Sequence, residues 1–224
     1  MILEICANSL QSAINAEQGG ANRIELCPNL EVGGTTPSKE LIRSVRNVLK
    51  IPVYVLIRPR EGNFIYTSDE LEQMKSDISF CLEIGCRGVV FGALNREGTI
   101  DESATIFLMK AAKFMDVTFH RAFDLLEDHV EGLNTLKELG VQRILTSGCN
   151  GTALEGYEML SELVDEAEEE VIIMPGGGIR PENIKRLLNT GAVEYHSAAM
   201  LPNSEVTNSK MVEELTEIIA ALSS

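Results

Sequence analysis

The residues of this chain that could do chemistry lie at the ends of short apolar runs. Glu4 and Cys6 close the first run, and Glu25 and Cys27 close the second. Side chains two apart on a strand share a face, so in each run the carboxylate and the thiol point together. Neighbouring parallel strands lie ~4.8 Å apart, close enough for Cys6 and Cys27 to share a soft ion such as Cu(I). Two small buried thiols would give the same pattern. The third run ends in Arg58-Pro59-Arg60, the fifth in His120-Arg121-Ala122-Phe123-Asp124 and the eighth in Glu194-Tyr195-His196-Ser197. A histidine in such a place is an acid or base, a metal ligand or a hydrogen-bonded core residue. The flanking Arg121 and Asp124 favour chemistry at His120, whereas packing explains His196 almost as well. His129 falls in a helix and is expected at the surface.

The seventh run continues into Pro175-Gly176-Gly177-Gly178-Ile179-Arg180. Bare backbone followed by a helix start lets an anion approach N–H groups closely. Gly176, Gly177, Gly178 and the nearby Ser197 therefore form a candidate anion or phosphate site; the alternative is a turn chosen for its conformation alone. Arg58, Arg60, Arg121 and Arg180 would put positive charge beside it, and guanidinium forks match carboxylate and phosphate. An ionisable group in an apolar strand is costly unless paired or solvated. The clustering at strand ends therefore favours a pocket over internal ion pairs such as Glu25 with Arg58.

The runs that carry these residues span 2–6, 23–27, 53–58, 88–92, 117–120, 143–146, 171–174 and 193–196. Each is too short for a helix, and most are rich in Val and Ile, as buried parallel strands are. Helix-length segments lie between them, opened by Asn8-Ser9, Pro37-Ser38, Ser68-Asp69-Glu70, Asp101-Glu102 and Pro181-Glu182. The spacing of roughly 27 residues is that of a βα unit. A recurrent Gly just before the second, fourth, sixth and eighth strands (Gly20, Gly85, Gly140, Gly191) favours closure into a barrel. The dinucleotide fingerprint of an open doubly wound sheet does not follow the first strand. The expectation is an α/β fold, a single-domain (βα)8 TIM barrel over 1–224. Residues 201–209 serve as a polar connector to a last helix at 210–222. The active face should be the carboxyl ends of the strands.

With 224 residues and a net charge of −15, the chain lacks the basic footprint of a nucleic-acid binder. No run approaches the ~20 apolar residues of a membrane span, and the first residues lack a basic leader segment. A cytoplasmic protein is expected. The five cysteines are odd in number and form no CxxC, so they read as free thiols. Cys81 and Cys86 read as core.

Seven blocks resemble one family. They are Glu25-Leu26-Cys27, Glu31-Val32-Gly33-Gly34-Thr35-Thr36-Pro37-Ser38, Ile57-Arg58-Pro59-Arg60, Val90-Phe91-Gly92-Ala93-Leu94, Thr118-Phe119-His120-Arg121-Ala122-Phe123-Asp124, Leu145-Thr146-Ser147-Gly148 and Met174-Pro175-Gly176-Gly177-Gly178-Ile179. Together they are similar to the CutC copper homeostasis proteins, from Met1 to about Ala199. The resemblance implies a (βα)8 barrel, a cytoplasmic homo-oligomer (a dimer or larger) and copper as the bound ion, with Cys6 and Cys27 matching the family's copper cysteines. Two positions depart from the family pattern. Asn63 stands where an Asp is usual, and Ala198 where a Ser is usual. Two functions are thus expected side by side. One is copper binding at Cys6 and Cys27. The other is an enzyme acting on a small anionic metabolite, phosphorylated ones included, with Glu25 or His120 as acid or base and Arg58, Arg121 and the triple glycine holding the anion.

Overall fold

Short β-branched runs, each followed by a capped amphipathic segment, give eight βα units in the computed structural model, which describes residues 1–222. The strands are β1 (Ile2–Ala7), β2 (Arg23–Leu26), β3 (Val53–Leu56), β4 (Gly88–Phe91), β5 (Asp116–Phe119), β6 (Arg143–Thr146), β7 (Ile172–Pro175) and β8 (Glu194–Ser197). The helices are α1 (Leu10–Gln18), α2 (Lys39–Val48), α3 (Ser68–Glu83), α4 (Glu102–Ala112), α5 (His129–Leu139), α6 (Tyr157–Ala167), α7 (Pro181–Leu187) and α8 (Ser209–Leu222). Residues 223 and 224, the end of the expected connector-and-helix segment, lie outside the described residues. Ser9, Ser38 and Asp101 cap the helices they were expected to open. The cap of α3 is Thr67, one residue earlier than expected, in a reciprocal box with Glu70. No helix among the described residues is long and apolar enough to cross a membrane.

All strand pairs are parallel, in the order β7-β6-β5-β4-β3-β2-β1-β8. The barrel is nearly closed. β7 and β8 lie side by side, but the ladder stops there. Pro175, in β7, has no N–H to donate, which suits a strand at such a seam. A side chain ties β8 to the turn that follows β7 instead: the Ser197 hydroxyl donates to the Ile179 carbonyl (2.8 Å). The four glycines before the even-numbered strands all have positive φ, from +76° at Gly140 to +89° at Gly20.

Strand alternation sorts the side chains into two compartments. Leu3, Ile5, Ile24, Val55, Phe91, Phe119 and Ile144 face outward and pack under the helices as the apolar core. The opposite set points into the barrel, where Cys6, Cys27, Tyr54, Leu56 and Val90 form a small cluster of their own. Below that cluster the interior is ionic. Register sets Glu4 opposite Arg23 on β2 and opposite His196 on β8. Arg23 Nε meets Glu4 Oε2 at 2.5 Å, its Nη2 meets Glu194, and Arg143 Nε meets Glu194 Oε2 at 2.6 Å. All four side chains are buried, and both guanidinium groups lie over the Tyr54 ring, at 4.9 and 5.4 Å. Internal ion pairs therefore do exist, but not between Glu25 and Arg58: those two side chains turn to other partners at the mouth.

A buried ion pair contributes little net stability while intact, and its disruption strands a charge. Replacing Arg23 by Leu leaves Glu4 without a guanidinium. The Arg23→Leu variant is expected to lose about 3–5 kcal/mol in urea unfolding. A loss below about 1 kcal/mol would mean the pair behaves as a solvated one.

Candidate functional site

The strand ends converge on a cavity of about 290 Å3 at the carboxyl face of the barrel. Of the residues singled out by sequence, Cys6, Glu25, Cys27, Arg58, His120, Arg121, Gly177, Gly178 and Ser197 all line it. Gly176 does not. It continues β7, where its N–H donates to the Thr146 carbonyl (2.8 Å), so it has no donor for a ligand. Ser197 reaches the cavity, but its hydroxyl is engaged: it donates to Ile179 and accepts from the Ala199 N–H (3.0 Å). That occupies it in holding the β7–β8 seam rather than an anion. His129 is half-buried beside the Phe123 ring (5.8 Å), not a free surface residue.

On the cavity floor, one ligand atom each from Cys6, Glu25 and His196 fall within 4.8 Å of one another. The Cys27 thiol lines the same cavity and interacts with that of Cys6. His196 is oriented from behind. Its Nδ1 is 2.7 Å from Glu4 Oε1, while its Nε2 faces Glu25 Oε2 at 3.6 Å. A carboxylate on one ring nitrogen fixes the tautomer and leaves the other nitrogen free to ligate. Sequence reasoning undervalued His196, because the partner that orients it is on β1, almost the whole chain away.

The electrostatics follow from burial and from this line of charges. Burial raises the Glu4 carboxyl, but Arg23 and the His196 hydrogen bond outweigh it and bring it down to about 2. Burial also raises Glu25, and with the nearby charge of Glu4 it overcomes the pull of His196, reaching about 7. For His196 burial acts to lower the pKa, yet the hydrogen bond it donates to Glu4 and the two carboxylate charges lift it above the ordinary value. The hydrogen bond with Cys27, burial and the carboxylates push the Cys6 thiol well up, so it is held protonated.

The wall opposite is built from the loops after β3 and β5. Arg58 is 5% exposed. Its Nη1 donates to the carbonyls of Val32 (2.8 Å) and Gly34 (2.9 Å), and its Nη2 donates to that of Gly62 (2.8 Å). Its Nε has no partner among the described residues. His120 is 6% exposed, and its Nδ1 accepts the Ala122 N–H (3.2 Å). Gly92 makes room for the ring, since a Cβ there would come within 2.6 Å of Nδ1. Burial and the positive charge of Arg58 lower the His120 pKa to about 3, so the ring is neutral with its proton on Nε2. That Nε2 is also without a partner. Each such orphan costs on the order of 1–3 kcal/mol.

The rim carries the remaining cations. Arg121 pairs with Asp124 (2.7 Å) and donates to the Ser147 hydroxyl (2.8 Å), beside Gly177. The Gly177 and Gly178 φ values of +98° and +76° make the turn one that its conformation already demands. Asn63, in place of the family's Asp, still holds Arg60: its carbonyl accepts from Nη1 at 2.9 Å and its Oδ1 from Nη2 at 3.2 Å. Ala198 contributes only an apolar patch to the cavity.

A family model described as CutC family matches residues 1–201. The chain belongs to the CutC family. It is 47% identical over 199 residues to a human protein named copper homeostasis protein cutC homolog, covering 88% of this chain and 73% of the human one. A CutC family protein of Parabacteroides distasonis is 48% identical over 200 residues, covering 88% and 82% of the two chains. Among solved structures, the CutC protein of Streptococcus agalactiae superposes with a TM-score of 0.84 at 34% identity, covering 88% of this chain and 98% of that one. A thiamine phosphate pyrophosphorylase of Pyrococcus furiosus superposes with a TM-score of 0.66 at 17% identity, covering 99% and 96%, a likeness of barrel fold alone. The family's copper-homeostasis association thus meets a cavity floor with two thiols and an imidazole.

The depressed pKa of His120 has a stability signature. Between about 3 and the ordinary 6.5, the unfolded chain takes up a proton that the folded one refuses. This contribution therefore makes the fold less stable as pH falls from 6.5 towards 3. In a His120→Asn variant, whose Oδ1 can still accept the Ala122 N–H, urea unfolding should show a shallower loss of stability over that range. An unchanged slope would mean His120 titrates in the folded protein.

Proposed function

We propose that this CutC-family chain takes up a copper(I) ion as cargo at the floor of the barrel mouth, in a reducing cytoplasm. The single observation that carries the reading is the convergence of Cys6, Glu25 and His196 on one point, in a cavity that the Cys27 thiol also lines. Thiolate and imidazole are soft to borderline donors and favour Cu(I) over hard cations such as magnesium or calcium. Cys6 and the Nε2 of His196 supply those donors at the point of convergence, and Cys27 adds a second thiol from the same cavity. Glu4 supports the imidazole from behind, as outer carboxylates do for ligating histidines. Cys6 is a thiol before the ion arrives, so uptake releases its proton, and the Glu25 carboxylate is the acceptor beside it. The apparent affinity accordingly rises with pH. The five cysteines are all free thiols, which suits a reducing compartment. The copper-homeostasis names of the mammalian relatives support the reading.

Competition against a Cu(I) chelator under anaerobic, reducing conditions tests it. The parent should bind one ion per chain. The Cys6→Ser, Cys27→Ser double variant should lose more than the roughly 10–100-fold that removing an outer-sphere partner costs. His196→Ala should weaken binding as well. Binding by the double variant equal to that of the parent would overturn the assignment.

A further inference from the structure

We infer that the barrel mouth holds a second ligand, a small organic oxyanion, with one of its oxygens hydrogen-bonded by Arg58 Nε and His120 Nε2. This goes beyond copper binding and does not depend on it. The two donors share four properties. Both belong to cavity-lining residues that are more than nine-tenths buried. Both lack any partner among the described residues. Both are fixed in place by bonds on their other nitrogens: three carbonyls hold the Arg58 guanidinium, and the Ala122 N–H holds His120 Nδ1. Finally, both groups lie against a single ring, that of Phe64, at 4.8 Å from the Arg58 guanidinium and 4.7 Å from the His120 ring.

A buried donor held so firmly and left unpaired is rare in a folded protein and calls for an acceptor. A positive guanidinium and a neutral N–H are both donors, so the missing group is an acceptor, and an anionic oxygen suits the charge. Arg121, next to His120, and Arg180 also line the cavity and give the remainder of such a ligand a cationic rim. Phe64 is only half-buried, at the edge of the core it packs against, so a small displacement uncovers the two donors. The ring covers the pair in the free protein and yields to the ligand oxygen.

The test uses metal-free protein, both as the parent and as the Cys6→Ser, Cys27→Ser variant, so that failure of copper binding leaves the result unaffected. The probes are inorganic phosphate and malonate, with chloride at matched ionic strength as control. The readouts are the 15N-detected signals of the Arg58 Nε–H and the His120 Nε2–H. The chain has no tryptophan, so Phe64→Trp adds a single fluorescent reporter on the cover. Saturable shifts of both N–H signals, with a change in Trp emission, are the expected result; which probe acts separates a phosphoryl ligand from a carboxylate. His120→Phe should weaken binding roughly 10- to 100-fold while keeping the wall apolar. Should that variant fail to fold, the shifts in the parent decide alone. No saturable shift with either probe, or shifts equal to those with chloride, would overturn the inference.

Discussion

A single file of buried charges runs up the inside of the barrel, and the rest of the mouth is arranged around it. Arg143 holds Glu194, Glu194 holds Arg23, Arg23 holds Glu4, Glu4 holds His196, and His196 faces Glu25, which abuts Cys6. Each member satisfies the one above it. A chain of this kind is weak evidence for stability, since well-packed apolar residues would do as well. Its effect is on geometry and protonation. It fixes the tautomer and direction of one imidazole and sets two carboxyl groups far apart in acidity although they flank the same ring. Glu4 is ionised well into acid, whereas Glu25 gains and loses its proton near neutrality. Environment alone separates the two.

The mouth is thus divided between two chemistries on opposite walls. Strands β1, β2 and β8 bring sulfur, carboxylate and imidazole, groups that exchange protons and can act as electron-pair donors. The loops after β3 and β5 bring the donors Arg58 and His120, tied down by backbone carbonyls and an amide. Apolar Leu56 and Leu145 lie in the cavity between them. An enzyme-like pocket and a copper-homeostasis family name need not compete, because the two sets of side chains do not share members.

Much of this was legible in the sequence. Short Val- and Ile-rich runs at βα spacing, with Gly ahead of every second strand, suffice for the barrel, and the carboxyl-end rule then collects Cys6, Glu25, Cys27, Arg58 and His120. What could not be read was pairing across strands distant in sequence. Glu4 looked like a companion of Cys6, and its bonds to Arg23 and His196 depend on the register of three strands. Arg23 and Arg143, three residues after the recurrent Gly20 and Gly140, gave no sign of being the charges that make a polar barrel interior tolerable. Gly176 and Ser197 carried the right residue types, but the sheet and its seam had already claimed their hydrogen-bonding groups. A residue's type says what bonds it can form; only packing says which are already taken.

The missing ladder between β7 and β8 has a mechanical meaning. Seven of the eight joints in the ring are riveted by main-chain hydrogen bonds, and the eighth is fastened by side chains such as Ser197. Thermal breathing of a ring concentrates at its loosest joint. His196 is mounted on β8, one edge of that joint, while Cys6 and Glu25 stand on firmly riveted staves. The imidazole is therefore mounted on the looser edge of the barrel mouth, and its spread from Cys6 and Glu25 is set by how tightly a serine hydroxyl clasps the carbonyl of Ile179.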